Sequence, residues 1–132
     1  MEYIKTNHSV CQIGYHLILV TKYRHQVLVN EVEVKLKRIL SEICISYGWK
    51  IKNIEIMPDH VHLFIQTDHK IAPINIVNIL KSTSTVYIFK EFPALKGQKF
   101  WGSGLWSKGA FYSTVGHISE DSIKKYIESQ KN

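Results

Sequence analysis

The run from Met57 to Ile65 constrains the fold of this chain more than any other segment. Side chains along a β-strand point alternately to its two faces. One face of this run carries His60 and His62. The other face carries an apolar row: Val61, Leu63 and Ile65. The dipeptide Pro58-Asp59 just upstream is a turn signal. The pattern therefore predicts a strand that is entered through a tight turn, is buried on one face and presents two imidazoles on the other.

Two neighbouring imidazoles can hold a divalent metal ion, or they can be the polar edge of a half-exposed strand. A metal-dependent nuclease site would also need a third ligand and a nucleophile from elsewhere in the chain. His60 and His62 alone leave both interpretations open. The remaining histidines show no such pairing, and we expect structural or surface roles for them: His8, His16, His25, His69 and His117.

Residues 119–130 have the features of a short amphipathic helix. Ser119 is a good N-cap, acidic residues occupy the first turn, and isoleucines recur four residues apart. Tyr126 and Gln130 lie one helical turn apart on the same side. They are either a core tyrosine with a solvated glutamine, or a nucleophile and an oxygen ligand of the metal held by the histidines. Two imidazoles and an amide favour Mn²⁺ by affinity, whereas Mg²⁺ would bind through its abundance, so the expected cofactor is Mg²⁺ or Mn²⁺.

Size, charge and cysteine content narrow the class of protein. A chain of 132 residues is expected to form one domain, residues 1–132. No apolar stretch approaches the roughly 20 residues that span a bilayer, and the first residues lack a signal-peptide core, so we expect a cytoplasmic protein with no membrane partner. Cys11 and Cys44 do not predict a disulfide framework or a zinc site. The net charge of +6 suits a polyanion such as DNA, although many small proteins are equally basic.

The predicted elements follow the order β-α-β-β-α-β and end with the helix at 119–130. They are a strand at Cys11–Thr21, a helix from the N-cap Asn30 to a stop at Gly48, a hairpin of Trp49–Ile56 and His60–Gln66, a helix from Pro73 to a stop before Pro93, and a strand at Ala110–Val115. This order predicts an α+β fold, a ferredoxin-like (RRM-like) antiparallel sheet with both central helices on the face of Val61. The histidine face is then left for the C-terminal helix and the substrate.

Basic and aromatic side chains supply candidates for contact with DNA. The lysines and arginines are dispersed along the chain, a pattern that favours a broad surface tracking a nucleic-acid backbone. We predict DNA contacts at five positions: Lys22, Arg24, Lys81, Trp106 and Lys108. Among the aromatic residues, Trp106 is the best candidate for a solvent-facing side chain that stacks on a base. Core packing is the alternative for the aromatic residues of this region.

The chain as a whole resembles the single-tyrosine HUH transposases of the insertion-sequence-200/605 type. The similarity covers nearly the full length and is carried by a set of motifs in a fixed order. These are Tyr15-His16-Leu17, Thr21-Lys22-Tyr23-Arg24, Pro58-Asp59-His60-Val61-His62-Leu63, Leu105-Trp106-Ser107, Ser113-Thr114-Val115-Gly116 and Tyr126-Ile127-Glu128-Ser129-Gln130. One HUH motif alone would be a weak signal, whereas the ordered set is specific.

The resemblance implies a function and an assembly. It implies a homodimer with merged sheets that binds hairpins at transposon ends, and that cuts and rejoins single-stranded DNA through a 5′-phosphotyrosine. Carried onto this chain, it makes Tyr126 the nucleophile and His60, His62 and Gln130 the metal ligands. Each active site would be composite, with the tyrosine helix of one subunit beside the histidine pair of the other. Gly116 would then be the hinge of that helix, since glycine has a permissive backbone.

Two other functions stay open at the level of the sequence. A domesticated or replication-type HUH nickase would share the first half of the reaction, and palindromes inside the ends of a flanking element would speak against it. A non-catalytic nucleic-acid-binding domain would use the same sheet, as RNA-recognition domains do. Such a domain is expected to present stacking aromatic residues where this chain has His60 and His62.

Overall fold

A four-stranded antiparallel sheet forms the centre of the protein. Its structure is a computed structural model that describes residues 4–6, 9–11, 13–68, 71–100 and 103–115. The strands of this sheet are β3 (Ile13–Val20), β4 (Lys50–Met57), β5 (His60–Thr67) and β6 (Phe111–Val115). They lie in the order β4-β5-β3-β6, so β3 is central, as the apolar run at Cys11–Thr21 predicted. A separate hairpin of β1 (Ile4–Thr6) and β2 (Ser9–Cys11) precedes the sheet and was not expected.

The helices lie in the connections between the strands of the sheet. They are α1 (Asn30–Ser46), α2 (Pro73–Glu91), α3 (Pro93–Gln98) and a 3₁₀-helix at Lys22–Arg24. The order of the main elements is the predicted β-α-β-β-α-β, and the α+β, ferredoxin-like fold is confirmed. Within the described ranges no helix is long and apolar enough to cross a bilayer. The predicted helix at 119–130 lies outside the described residues.

The hydrophobic core lies between the sheet and the helices α1 and α2. Val61, Leu63 and Ile65 are fully buried on one face of β5, as their alternation predicted. They belong to one cluster with the inward-facing residues of both helices, including Leu36, Leu40, Ile76 and Leu80. Burying a side chain of this size stabilises the fold by about 1.5–3 kcal/mol. The apolar row therefore fixes which face of β5 is covered, and leaves the histidines on the other.

The two ends of α1 compare differently with the sequence prediction. Gly48 ends the helix as expected: its φ of +75° is a left-handed conformation that suits glycine. The amide of Trp49 then bonds back to the carbonyl of Cys44 at 2.9 Å. The prediction of Asn30 as the N-cap is wrong, because Val29 holds that position and no side chain caps the helix. The amides of the first turn, at Val32 and Glu33, bond to the carbonyl of Val29 instead.

The helix α2 continues through a run of serine and threonine that has low helix propensity. The hydroxyls of Ser84 and Thr85 donate to carbonyls one turn earlier, at Leu80 and Lys81, over 2.5 and 2.8 Å. These bonds satisfy the side chains without interrupting the helix. After the predicted stop, α3 adds a short turn that the sequence reading missed, with Pro93 in its first turn.

A candidate active site on the histidine face of the sheet

The two histidines of the HUH motif lie side by side on the face of β5 opposite Val61, Leu63 and Ile65. The centroids of the His60 and His62 rings are 4.9 Å apart, with an angle of 70° between the rings. The strand enters this site through the turn at Pro58-Asp59, because Met57 pairs directly with His60 across the hairpin. Placement of both imidazoles on one face is therefore confirmed, and both rings are largely buried.

The carboxylate of Asp59 holds the ring of His60 in place. Its Oδ1 lies 2.7 Å from Nδ1 of His60, and its Oδ2 accepts from Nε and Nη2 of Arg24 at 3.2 and 3.1 Å. An imidazole whose Nδ1 donates to a carboxylate keeps Nε2 as the free, electron-donating nitrogen. Because of this contact, Nε2 of His60 is the atom left to bind a ligand.

The turn that carries Asp59 is fastened to the end of β3. Both the backbone amide and the hydroxyl of Thr21 donate to the Asp59 carbonyl, at 3.0 and 3.2 Å. Immediately after Thr21, Tyr23 and Arg24 adopt φ angles of +60° and +52°. Left-handed backbone is uncommon for residues with a Cβ, and such strain clusters at functional sites. Here it directs Arg24 back onto Asp59.

Burial and neighbouring charges shift several pKa values in this site. Burial, and then the charge of His60, lower the pKa of His62, while Glu55 raises it less. Burial, and then His62, lower the pKa of His16 to about 4. Burial raises the pKa of Asp59, but its bonds and charge interactions with His60 and Arg24 outweigh that effect and lower it. His62 is thus held in the neutral form that can bind a metal ion.

A cavity of about 550 Å³ opens in front of the histidines. Its lining is Ile18, Val20, Thr21, Tyr23, Arg24, His60, His62, Ser107, Lys108 and Phe111. Imidazole nitrogens supported by a carboxylate are suitable ligands for a divalent ion, so this pair fits a metal. The described part of the chain brings together no group of three histidine, cysteine, aspartate or glutamate residues that could hold one. A third ligand must therefore come from an amide, from the substrate or from outside the described residues.

Three of the predicted DNA contacts have side chains near this cavity. Lys108 is exposed and lines it, and Arg24 lines it while bonded to Asp59. Lys22 lies 5.7 Å above the ring of Tyr23, which is itself part of the lining. These positions agree with contacts to a phosphate backbone, which stay predictions.

Trp106 is not placed as the sequence predicted, and Lys81 makes contacts that the sequence did not predict. Trp106 does not face solvent: it is 6% exposed, and its Nε1 donates to Ser84 Oγ at 2.9 Å. Core packing, the alternative stated for this region, is the arrangement found. The ammonium of Lys81 donates to the carbonyls of Ser107, at 2.9 Å, and of Gly109. Lys81 therefore braces the loop that carries Lys108. Its contact with DNA stays a prediction.

Three of the predicted site residues lie outside the described residues: Tyr126, Gln130 and Gly116. Two residues of the site were not predicted from the sequence. The sequence indicated only a turn at Asp59, although a carboxylate next to a candidate metal ligand could have predicted its hydrogen bond to His60. Phe111 and Tyr23 are exposed aromatic residues that line the cavity, and no sequence signal distinguished Phe111 from its neighbours.

Comparison with known proteins identifies the family. The family described as "Transposase IS200 like" matches residues 9–130. The ISDra2 transposase TnpA of Deinococcus radiodurans is 42% identical over 130 residues, which cover 98% of this chain and 92% of that protein. The transposase for insertion sequence element IS200 of Salmonella typhimurium is 27% identical over 127 residues, covering 94% and 83%. The chain belongs to the IS200-like transposase family.

Solved structures agree with this assignment. The crystal structure, at 1.90 Å resolution, of a transposase candidate from Deinococcus radiodurans R1 superposes with a TM-score of 0.76 and 40% identity, covering 96% of this chain and 97% of that one. A REP-associated tyrosine transposase bound to a REP hairpin superposes with a TM-score of 0.56 and 13% identity, covering 95% and 67%. The second likeness concerns the fold alone. Membership of a transposase family implies DNA cleavage and strand transfer as the class of reaction.

Proposed function

We propose that this protein binds hairpins at the ends of a mobile element, and that it cleaves and rejoins single-stranded DNA there through a 5′-phosphotyrosine. Tyr126 would be the nucleophile, and His60, His62 and Gln130 would hold a divalent cation. The observation that carries the proposal is the pair of imidazoles 4.9 Å apart, one of them oriented by Asp59, facing an open cavity with Lys108 at its wall.

A bound Mg²⁺ or Mn²⁺ would supply positive charge to a phosphodiester oxygen and orient the scissile group. The residues of the chain would do the rest. Asp59 keeps His60 in the tautomer whose Nε2 lone pair can coordinate the ion, and burial favours the neutral form of His62. Arg24 and Lys108 line the same cavity and provide positive charge for neighbouring phosphates.

The covalent step needs no external source of energy. The phenolic oxygen of Tyr126 attacks phosphorus, and its proton passes to solvent water. The bond from phosphorus to the 3′ oxygen breaks, and that oxygen takes up a proton from solvent and leaves as a free 3′-hydroxyl. The 5′ side stays attached to the tyrosine, so the energy of the phosphodiester is retained. A second 3′-hydroxyl can later attack this linkage, restore the phosphodiester and release the phenol.

The nature of the substrate and of the assembly belongs to the same proposal. The REP-associated transposase that shares this fold is bound to a hairpin, which supports a hairpin as the DNA form recognised here. We further propose a homodimer in which Tyr126 of one subunit serves His60 and His62 of its partner. Such an arrangement would couple cleavage of the two ends of one element.

A cleavage assay tests this function. Labelled single-stranded hairpins from the flanks of the gene are incubated with protein and Mg²⁺ or Mn²⁺, and covalent adducts are resolved on denaturing gels. We expect adducts with single-stranded but not duplex DNA, and none with a chelator or with His62→Ala. Tyr87→Phe, which alters an exposed tyrosine on α2, is the control and should cleave normally. Adducts that form equally well without metal, or in His62→Ala, would overturn the proposal.

Mixing two inactive variants tests the composite site. His62→Ala and Tyr126→Phe are each expected to be inactive, since each lacks one half of the site. A heterodimer of the two has one intact site of two in the trans arrangement. Random exchange in an equal mixture makes about half of the dimers heterodimers, so the mixture should recover about a quarter of the specific activity of the wild-type dimer. A mixture as inactive as either variant would exclude sharing of residues between subunits.

A further inference from the structure

A row of paired residues crosses the histidine face of the sheet and ends at an exposed aromatic ring. His62 on β5 pairs with Ile18 on β3, and Ile18 pairs with Phe111 on β6. Directly opposed residues of neighbouring strands lie on the same face. Phe111 therefore shares the histidine face and lies about 10 Å from His62, two strand spacings away.

Phe111 is a large apolar side chain that is exposed within the described residues. Its side chain is 58% exposed, although it lines the same cavity as the histidines. Tyr23 reaches the cavity from the end of β3 and is 59% exposed, on backbone held at a φ of +60°. Between them, Ile18 and Val20 complete an apolar wall. A large exposed aromatic side chain kept on strained backbone beside an active site is suited to bind a planar, apolar group.

The lining of the cavity also includes polar and basic groups. They are His60 and His62, together with Arg24 and Lys108. A cavity lined by both cationic groups and aromatic rings matches a nucleotide, whose phosphate is anionic and whose base has two apolar faces. Duplex DNA hides those faces within the base stack, whereas an unpaired nucleotide exposes them.

We propose that Phe111 and Tyr23 form a stacking subsite for the unpaired base next to the phosphodiester that is cleaved. The inference rests on the proposed function, because the phosphodiester at His62 defines which nucleotide is adjacent. The base would lie on the aromatic wall while its backbone follows Arg24 and Lys108. Since every base has a π-face, this subsite selects single-stranded over duplex DNA with little preference for sequence.

The binding test uses no metal and no cleavage. The probes are a fluorescein-labelled oligothymidylate and an abasic oligomer of the same length and charge, titrated by fluorescence anisotropy. The wild type should bind the oligothymidylate more tightly, and Phe111→Ala should lose roughly 5- to 150-fold in affinity for it. Binding of the abasic oligomer should be unchanged, because phosphate contacts remain. Phe111→Trp should keep the preference for bases, and Phe111→Leu should lose most of it.

Tyr112→Ala provides a matched control. Tyr112 is the neighbouring exposed aromatic residue, but it pairs with buried Leu17 and so lies on the other face of β6. Its replacement should leave the preference for bases unchanged. Equal loss of affinity for both oligomers in Phe111→Ala, or no preference in the wild type, would overturn the stacking subsite. Stacking with no covalent adduct on any hairpin would instead contradict the proposed transposase chemistry and leave the subsite standing.

Discussion

The indole nitrogen of Trp106 donates a 2.9 Å hydrogen bond to the hydroxyl of Ser84, which in turn donates to the carbonyl of Leu80. Both side chains are buried, and they join the loop before β6 to the middle of α2. The loop also receives the ammonium of Lys81 at two of its carbonyls. These bonds from α2 therefore fix the loop before β6, and with it Lys108, which lines the cavity.

Replacing Ser84 by alanine should destabilise the protein. The substitution leaves the Trp106 N–H buried without its acceptor, which costs about 1–3 kcal/mol. Urea unfolding should show this loss in the free energy of unfolding. Ser82→Ala removes an exposed hydroxyl two residues away and is expected to change stability by less than about 0.5 kcal/mol. Equal stabilities of the two variants would show that the buried bond contributes nothing.

Gly14 should tolerate no side chain while Phe64 is present. A Cβ added at Gly14 would lie 2.5 Å from Cζ of the buried Phe64 ring. Gly14→Ala is therefore expected to cost about 1–3 kcal/mol by overpacking. In the Phe64→Leu background the same substitution should cost less, which a double-mutant cycle of unfolding free energies measures. Gly97→Ala, which meets no atom within 4 Å, is the control. Additive effects of the substitutions at Gly14 and Phe64 would contradict the clash.

Cys44 should make the protein less stable at high pH. Burial raises the pKa of its thiol from 9.0 to about 12. Between these values the unfolded chain loses the thiol proton and the folded chain keeps it. The unfolded state then binds fewer protons, so the free energy of unfolding falls by up to about 1.4 kcal/mol per pH unit. The curve of unfolding free energy against pH for Cys44→Ala should lack this component above pH 9. Parallel curves for the two proteins would show that the thiol does not contribute.

Asp59 should control how well the site binds a metal ion. Without its carboxylate, Nδ1 of His60 loses its acceptor, and the ring is free to change tautomer. Asp59→Ala should weaken Mn²⁺ binding roughly 10- to 100-fold, measured by titration calorimetry. In the metal-free protein, ¹⁵N NMR should show that His60 loses its predominance of the Nδ1–H form. Glu42→Ala, which removes an exposed carboxylate on α1, should change neither measurement. An unaltered Mn²⁺ affinity in Asp59→Ala would exclude this role.

The features that the sequence predicted depend on local patterns. Alternation along β5 fixed the faces of Val61 and His62, and the glycine at 48 marked the end of α1. These outcomes follow from side-chain direction and backbone freedom within a few residues. Local patterns also predicted the order of strands and helices, and that order predicted an antiparallel, ferredoxin-like sheet.

The features that the sequence did not predict depend on contacts between distant segments. Trp106 is buried because Ser84, from a different element, offers its indole an acceptor in the core. Arg24 meets Asp59 only because β3 and β5 are neighbours in the sheet. Phe111 and Tyr112 are neighbouring aromatic residues of similar size. Only the register of β6 on β3 decides which of them lies on the face of the histidines.

The identity of the residue that becomes joined to DNA is the most direct test of the mechanism. The protein is incubated with a cleavable single-stranded hairpin and Mn²⁺, digested, and the DNA-linked peptide is sequenced by tandem mass spectrometry. We expect a nucleotide phosphate on the hydroxyl of Tyr126, and no adduct in Tyr126→Phe. A phosphotyrosine at any other residue, or an adduct that persists in Tyr126→Phe, would show that Tyr126 is not the nucleophile.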